Sequence, residues 1–328
     1  MKIAILGFGS VGKGLARIIC EKNLGITITA IADSKSGVID NNGINISEIF
    51  DRKEKTGCCG TDNIRPIDIL DSADYDVLVE VTPTNAETGQ PALDYIKYAL
   101  SKGKSVVTSN KGPVALEYRN LLKIANENNC VFKFEATVCG AIPIIQALQY
   151  GLAGNRIKRI YGVFNGTCNY ILTRMSDEKL TYQQALLEAR ELGYAEADPT
   201  YDIKGIDAAI KLVILANTVF GFDKTLNDVE ITGIDKIPSD ALQLALLDEK
   251  TIRLIGEIDA DKKILRVSPR ILPKNHTLVV RDTLNAVTAE TDLAGIVTFI
   301  GKGAGSVETA SAVLSDLLFI SECNGRRN

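Results

Sequence analysis

The chain has 328 residues, of which 45% are hydrophobic and 24% charged, and its formal net charge is -4. This composition is that of a globular protein of about two domains, which excludes disordered, collagen-like and coiled-coil classes. The mild negative charge argues against nucleic acid as a partner, because surfaces that bind nucleic acid concentrate positive charge. No apolar run approaches the ~20 residues of a membrane span, and no signal-peptide cleavage site follows the N-terminal apolar segment. We therefore expect a cytoplasmic protein that does not contact a membrane.

The cysteine and histidine content limits the chemistry that the protein can use. There are seven cysteines, an odd number, and none is arranged as CxxC. Neither a disulfide framework nor a zinc site is indicated by this pattern. The single histidine, His276, lies outside every motif described below. Acid–base chemistry is therefore expected to rest on Lys, Asp, Glu or Tyr side chains.

The first 135 residues alternate between short apolar strands and amphipathic helices. The predicted strands are 2–6, 26–32, 76–81, 105–108 and 130–134, and the predicted helices are 11–21, 90–101 and 114–128. Alternation at these lengths is typical of βαβ units and predicts a parallel sheet. The polar and glycine-rich residues 36–63 are predicted to form a long surface excursion outside the core.

The pattern changes near residue 136, where we place a domain boundary. Helices are predicted at 144–152, 182–192 and 203–219, and strands at 157–164, 253–258, 285–290 and 295–300. This order is typical of an α+β domain. A glycine-rich turn and a helix over 306–320 complete the chain.

The end of the first strand carries the pattern G-x-G-x-x-G, formed by Gly7, Phe8, Gly9, Ser10, Val11 and Gly12. The pattern is informative here because it closes a predicted strand and opens a predicted helix. The first glycine allows a tight turn, the second allows a pyrophosphate to approach the backbone, and the third allows helix and strand to pack closely. The free N–H groups of the helix N-terminus then face the phosphates. This segment predicts a dinucleotide site.

Asp33 ends the second strand about 20 residues later, where a carboxylate hydrogen-bonds the adenosine ribose. Such a carboxylate repels a 2′-phosphate, so we expect NAD to be favoured over NADP. The adjacent Ser34 and Lys35 can cradle a phosphate, which leaves use of both cofactors as the alternative. Thr82, which follows the strand DVLVEV, is predicted to face the nicotinamide side of the cofactor.

The densest polar cluster lies in GYAEADPTYDIKGIDAAIK, residues 193–211. Glu196, Asp198, Asp202, Asp207 and Lys211 fall within 16 positions of it. Asp207 and Lys211 are four residues apart and share one helix face. An isolated pair of this kind is ordinarily a solvated ion pair, but this helix continues as the apolar LVILANTVF. The cluster therefore indicates a site for a cationic ligand. Lys111 follows another strand, SVVT, and is predicted to lie at the cofactor crevice.

At these residues the sequence resembles the homoserine dehydrogenases, and the resemblance covers essentially the whole chain. The segments that carry it are GFGSVGKG (7–14), TSNKGPVA (108–115), EATVCGAIPII (135–145), FNGTCNYIL (164–172), LGYAEADPTYDIKGIDAAIK (192–211) and GAGSVETASAVLSDL (303–317). The resemblance implies reversible NAD(P)-dependent reduction of L-aspartate 4-semialdehyde to L-homoserine, a step of threonine and methionine biosynthesis.

The resemblance also assigns roles to individual residues. The catalytic residues it implies are Lys211, Lys111 and Asp207, and the residues it places at the substrate are Glu196, Asp202, Tyr194, Gly166 and Thr167. The residues expected at the cofactor are Gly7, Phe8, Gly9, Ser10, Val11, Gly12, Asp33, Ser34, Lys35, Thr82 and Lys111. A monovalent cation such as sodium is expected at Glu135 and at the carbonyls of Val138, Gly140 and Ile142. Cys139 and Ala141 depart from the family's usual glycines beside this cation site.

The implied architecture is a Rossmann-like parallel-sheet domain, residues 1–135 plus 303–328, and an α+β domain, residues 136–302. The second domain is expected to bind substrate and to form a homodimer, with the C-terminal helix returning to the first domain. The chain ends soon after that helix, so we expect a short form without a regulatory domain. Two alternatives share the glycine loop: another amino-acid dehydrogenase, and a sensor that binds NAD(P) without turnover.

Overall fold

The computed structural model describes residues 1–61 and 63–325; Asp62 and residues 326–328 lie outside the described residues. The chain divides into two compact units. The first, here called the nucleotide unit, comprises Met1–Gly140 and the chain from Gly305 onward, and the second, the substrate unit, comprises Ala141–Ala304.

The nucleotide unit contains a six-stranded sheet in the order β3-β2-β1-β4-β5-β6. Its strands are β1 (Lys2–Leu6), β2 (Thr27–Ala32), β3 (Gly37–Ile39), β4 (Val77–Glu80), β5 (Ser105–Thr108) and β6 (Phe132–Lys133). Every pairing is parallel except that of β3 with β2. The strand order reverses between β1 and β4, and ligands of such sheets bind at this switch point, beyond the carboxyl ends of the strands.

Helices accompany this sheet as the alternating pattern predicts. They are α1 (Ser10–Lys22), α2 (Ile46–Thr56), α3 (Pro66–Ser72), α4 (Ala92–Ser101), α5 (Lys111–Glu127) and the C-terminal helix (Ser306–Gly325). The C-terminal helix begins against α1, where the Ser306 hydroxyl donates to the Ser10 carbonyl at 2.5 Å. A side chain on Gly14 would lie 2.7 Å from the Ser306 carbonyl oxygen, so glycine is needed for this contact.

The expectation of a surface excursion over residues 36–63 was wrong. The segment forms β3 and α2, and Ile46, Ile49 and Cys59 are buried in the same hydrophobic core as β1. Only one narrow stripe of α2 is apolar, so the segment is polar on average even though the helix is amphipathic. The spacing of Ile46 and Ile49 was the available signal.

The substrate unit contains a second six-stranded sheet in the order β12-β11-β7-β9-β10-β8. Its strands are β7 (Ile157–Val163), β8 (Val229–Ile231), β9 (Lys250–Asp259), β10 (Ile264–Pro273), β11 (Leu284–Thr291) and β12 (Ile296–Lys302). Its helices are α6 (Ile144–Gln146), α7 (Gly166–Asp177), α8 (Tyr182–Glu191), α9 (Thr200–Ile203), α10 (Ile206–Val219) and α11 (Ser239–Leu247). The helix predicted over 203–219 is instead α10 preceded by the separate turn of α9, because Gly205 between them adopts φ 82°.

One face of this second sheet packs against α10. A side chain on Gly256 of β9 would meet the Phe164 ring at 2.8 Å and Leu212 of α10 at 3.2 Å. Gly256 therefore lets the helix lie close to the strand. Because α10 is buried along almost its whole length, its polar residues near the first turns are held inside the unit.

Candidate active site

The substrate-unit part of the candidate site is built around the buried ammonium group of Lys211. Lys211 is 7% exposed. Its Nζ donates to the Phe164 carbonyl oxygen at 2.6 Å and to Asp207 Oδ2 at 2.8 Å. A buried charge is costly unless it is paired and hydrogen-bonded, and both conditions are met here. The structure therefore holds this cation in place on the second turn of α10.

Asn165 joins three pieces of the chain at this point. Its Oδ1 accepts the Cys168 N–H at 2.8 Å and thereby caps α7. Its Nδ2 donates to Asp202 Oδ1 at 2.6 Å and to Asp207 Oδ2 at 2.9 Å. The sequence prediction omitted Asn165, although asparagine directly before an apolar helical stretch is a familiar N-cap signal.

The other predicted substrate residues lie around the start of α7 and on the loop before α9. The Thr167 hydroxyl donates to the Tyr194 carbonyl at 2.7 Å. Gly166 lies so close to the Thr283 carbonyl that a side chain would approach it to 2.7 Å. Tyr194 and Glu196 are both exposed. The structure thus brings Asp202, Asp207 and Lys211 together, whereas it leaves Glu196 on an open loop.

In the nucleotide unit, the predicted phosphate loop has the geometry that its glycines require. Gly7 adopts φ 102°, which favours glycine, and α1 begins at Ser10 without a side-chain cap. A side chain on Gly9 would meet no described atom within 4 Å, so the backbone there faces open space. Phe8 points the other way, into the core, where its ring lies 5.7 Å from that of Phe50. The loop therefore offers its backbone and the N-terminus of α1, which together fit a pyrophosphate.

Asp33 is surrounded by donors from its own unit. Its Oδ1 accepts the N–H groups of Lys35 and Ser36, both at 2.7 Å, and its Oδ2 pairs with Lys53 of α2 and accepts the Cys59 N–H at 3.2 Å. Burial raises the pKa of the Asp33 carboxyl, but the Lys53 ion pair and the donated N–H groups outweigh this effect and lower the pKa to about 2. Lys53 was not predicted, because it lies in the segment taken for a surface excursion.

A second unpredicted residue, Glu80, connects the loops that follow β4 and β5. It is fully buried; one carboxyl oxygen accepts the Thr82 N–H at 2.9 Å and the other accepts the Thr108 hydroxyl at 2.8 Å. Thr108 in turn accepts the N–H of Asn110, the residue that caps α5 just before Lys111. Burial raises the pKa of Glu80, although these hydrogen bonds oppose the effect. Glu80 thus holds Thr82 directly, and through Thr108 it holds Asn110, the residue that precedes Lys111.

The residues expected to hold a cation follow β6. Glu135 is buried in a 3₁₀ turn, Glu135–Thr137, and its N–H donates to Asp316 of the C-terminal helix at 2.8 Å. Cys139 and Gly140 then adopt left-handed backbone conformations, with φ 58° and 51°. Among the residues that the structure describes, no group of three or more His, Cys, Asp or Glu side chains is arranged to hold a metal ion. The described helices also include none that is long and apolar enough to cross a membrane.

The dinucleotide loop of the nucleotide unit and the buried lysine–carboxylate group of the substrate unit are, each by itself, features found in NAD(P)-dependent oxidoreductases. Residues 7–135 match the NAD binding domain of homoserine dehydrogenase, and residues 143–318 match the homoserine dehydrogenase family. The chain belongs to the homoserine dehydrogenase family. Its members act on a CH–OH group with a nicotinamide cofactor.

Individual relatives resemble the chain over nearly their full length. The chain is 45% identical to a homoserine dehydrogenase of Methanocaldococcus jannaschii, covering 98% of each chain. It is 37% identical to an NAD(+)-dependent homoserine dehydrogenase of Pseudomonas canavaninivorans, covering 99% of this chain and 97% of the relative. A hyperthermophilic archaeal homoserine dehydrogenase in complex with NADPH is 34% identical, with a TM-score of 0.86 over 98% of this chain and 97% of the other. The predicted family and fold class are confirmed.

Proposed function

We propose that the protein catalyses reversible NAD(P)-dependent oxidation of L-homoserine to L-aspartate 4-semialdehyde, with Lys211 acting on the reacting oxygen. The observation that carries this proposal is the buried Lys211 ammonium, held by Phe164 and Asp207 beside a second carboxylate. When bound, the dinucleotide supplies or accepts the hydride. In the reducing direction negative charge grows on the aldehyde oxygen, and Lys211 supplies positive charge and a proton there. Asp207 orients the ammonium and favours its charged form.

We propose that the remaining predicted residues recognise the two charged ends of the amino-acid substrate. The carboxylates of Asp202 and Glu196 have the charge required for the α-ammonium group, and Lys111 has the charge required for the α-carboxylate. Gly166, Thr167 and Tyr194 surround the start of α7 and contribute backbone and hydroxyl groups. These assignments follow the family resemblance and agree in charge with a zwitterionic substrate.

We propose that both NAD and NADP are used and that NAD is favoured. The family's domain is an NAD-binding one, one relative is named NAD(+)-dependent, and one similar structure contains NADPH. Asp33 supplies the negative charge that disfavours a 2′-phosphate, whereas Lys53 pairs with that charge and weakens the repulsion. Ser34 and Lys35 are exposed beside Asp33 and add two donors for a phosphate.

We further propose a monovalent cation such as sodium at Glu135, Val138, Gly140 and Ile142. Support comes from the resemblance and from the buried Glu135 carboxyl, which is followed by two residues with left-handed backbone. Activity measured in sodium, potassium and tetramethylammonium salts at equal ionic strength tests this assignment. Equal activity in all three salts contradicts it.

We propose that the protein acts as a cytoplasmic homodimer joined through the sheet face opposite α10. Ile296 and Ile300 of β12 are 67% and 54% exposed. The strand register places them on the face of Thr288 and Tyr161, opposite the face of Gly256 that meets α10. These exposed apolar side chains mark the β12 end of the face as the proposed contact, whereas the β9–β10 end of the same face carries charged residues. Sedimentation of the wild type and of Ile300→Asp tests this: we expect a dimer that the substitution weakens, and a monomeric wild type contradicts it.

The direct test of function follows formation of reduced nicotinamide with L-homoserine and with NAD or NADP in parallel. Homoserine-dependent turnover supports the proposal. Turnover with L-aspartate instead supports another amino-acid dehydrogenase. Cofactor binding in a calorimeter without turnover of either substrate supports the sensor alternative and contradicts the proposed activity.

A further inference from the structure

Asn165 is a buried amide whose orientation is fixed by the helix that it caps. The residue is 5% exposed. Because Oδ1 accepts the Cys168 N–H at 2.8 Å, the other end of the amide must face Asp202 and Asp207. The two hydrogens of this single NH2 group are therefore directed at two carboxylates, at 2.6 Å and 2.9 Å.

The Asn165 amide affects the charge state of Asp202 and Asp207, because it donates a hydrogen bond to each of them. Two carboxylates that reach the same nitrogen are close neighbours, and like charges at short range raise the pKa of one of them. Hydrogen bonds donated to the charged forms have the opposite effect, and the Asn165 amide gives one to each carboxylate. Asp207 uses the same oxygen, Oδ2, to hold both Asn165 and the Lys211 ammonium.

The neighbouring residues Phe164 and Asn165 both help to hold Lys211, the first directly and the second through Asp207. The Phe164 carbonyl oxygen accepts directly from Lys211 at 2.6 Å, and the Asn165 amide fixes the carboxylate that accepts the second hydrogen bond. No other side chain of this length combines these functions. Aspartate can cap the helix but carries no donor when ionised, and serine can cap it but is too short to reach both carboxylates.

We propose that Asn165 is a positioning residue of the reaction: its amide keeps Asp202 and Asp207 ionised and holds the Asp207–Lys211 pair in its working geometry. This proposal rests on the proposed function for its kinetic consequences. Asn165 acts through Asp202, Asp207 and Lys211, and its own contacts predict how two substitutions will differ.

Asn165→Asp preserves the cap and approximately the shape of the side chain, but it places a third carboxylate against the other two. We expect kcat at neutral pH to fall at least ~10-fold, because a misplaced catalytic group is costly, while the dissociation constant of the cofactor stays unchanged. When the introduced acid is protonated it becomes a donor again. The ratio of variant to wild-type kcat should therefore rise as the pH is lowered from mildly alkaline to mildly acidic.

Asn165→Ser is the matched control, since serine is also a good helix cap and adds no charge. It should lose kcat without the rise at acidic pH. Carboxyl carbon chemical shifts of Asp202 and Asp207, measured by NMR during a pH titration, provide a readout besides activity. We expect the pKa of at least one of them to increase by about one unit in each variant.

Three outcomes overturn the proposal. One is a wild-type pH profile and kcat in Asn165→Asp; another is carboxyl pKa values that do not change in either variant. The third is an equal loss of kcat, thermal stability and cofactor affinity in both variants, which indicates a structural role alone. A wild type that fails to oxidise homoserine contradicts the proposed function instead, and the NMR titration still decides whether Asn165 controls the carboxylates.

Discussion

Replacing Lys53 by methionine removes the cation from the Lys53–Asp33 ion pair and leaves the negative charge of Asp33 in place. Lys53 and Asp33 have side chains that are 18% and 6% exposed, so their ion pair is largely shielded from solvent. Methionine retains an unbranched apolar chain as far as Cε, with sulfur in place of one methylene, and lacks the ammonium group. Asp33 keeps the N–H donors of Lys35, Ser36 and Cys59, so its position is preserved while its charge is no longer balanced.

The expected effect falls on NADP and not on NAD. Two unit charges ~4 Å apart at an effective dielectric of ~20 interact by about 4 kcal/mol before screening by salt. In the wild type the Lys53 attraction offsets part of the Asp33 repulsion on a 2′-phosphate, because the two groups are in contact. Allowing for screening and side-chain movement, we expect Lys53→Met to cost NADP about 2 kcal/mol, which is roughly 30-fold in kcat/KM. NAD carries a neutral hydroxyl there and should change by less than about threefold.

Steady-state kcat/KM for both cofactors in the wild type, Lys53→Met and Asp33→Ser measures this directly. Asp33→Ser should shift the ratio in the opposite direction, toward NADP. In the double variant the two effects should not add, because the residues are in contact. An unchanged NADP-to-NAD ratio in Lys53→Met would refute the assignment of Lys53, and a wild type that prefers NADP would refute the preference that we assign to Asp33.

Three further predictions follow from the same contacts. Lys211→Ala should lower kcat at least ~10²-fold with nearly unchanged cofactor affinity, and near-normal turnover of the folded variant removes Lys211 from the mechanism. Glu80→Ala should lower the free energy of unfolding by about 3 kcal/mol, because it leaves buried donors such as the Thr82 N–H without an acceptor; Glu80→Gln should cost less, and equal losses in denaturant titrations contradict this account. The Asp33 pKa is lowered from 3.8 to about 2, so its stabilisation is complete above pH 3.8 and is lost as the pH falls toward 2. Lys53→Met should therefore unfold at a higher pH than the wild type in an acid titration.

The backbone of the nucleotide unit was predictable because its signals are local. Strands of a parallel sheet are buried on both faces and appear as continuous apolar runs, as in β1 and β4. The order of the strands and the glycine pattern then determine where a dinucleotide binds. The segment containing α2 was mispredicted because its packing against Phe8 is a tertiary contact, which a composition average does not reveal.

The second sheet was harder to predict. The long hairpin of β9 and β10 carries Arg253, Glu257, Arg266 and Arg270 on the face away from α10, so charges interrupt the apolar pattern. The sequence indicated part of β9 but not β10. Helix α7 was missed as well, although Asn165 caps it and apolar residues follow the cap.

In the candidate site, the charged residues were predictable from the sequence, whereas the residues that hold them in place were not. Lysines and carboxylates such as Lys211 and Asp207 are conspicuous in a sequence, because an apolar helix that contains them needs an explanation. Asn165, Glu80 and Lys53 contribute through partners that are distant in sequence, and each is ordinary in its own segment. Their roles depend on which atoms the fold brings within hydrogen-bond distance.

Two buried side chains, Glu80 and Asn165, serve a similar purpose with opposite hydrogen-bonding groups, an acceptor in one unit and a donor in the other. Each unit must hold a flexible lysine near a fixed place without leaving a polar group unpaired. The nucleotide unit uses a buried acceptor, Glu80, and surrounds it with donors from two loops that lead to Lys111. The substrate unit uses a buried donor, Asn165, and surrounds it with carboxylates that lead to Lys211. In both, a buried side chain at the end of a strand or the start of a helix fixes the group next to a lysine: the N-cap Asn110 before Lys111, and the carboxylate of Asp207 that accepts from Lys211.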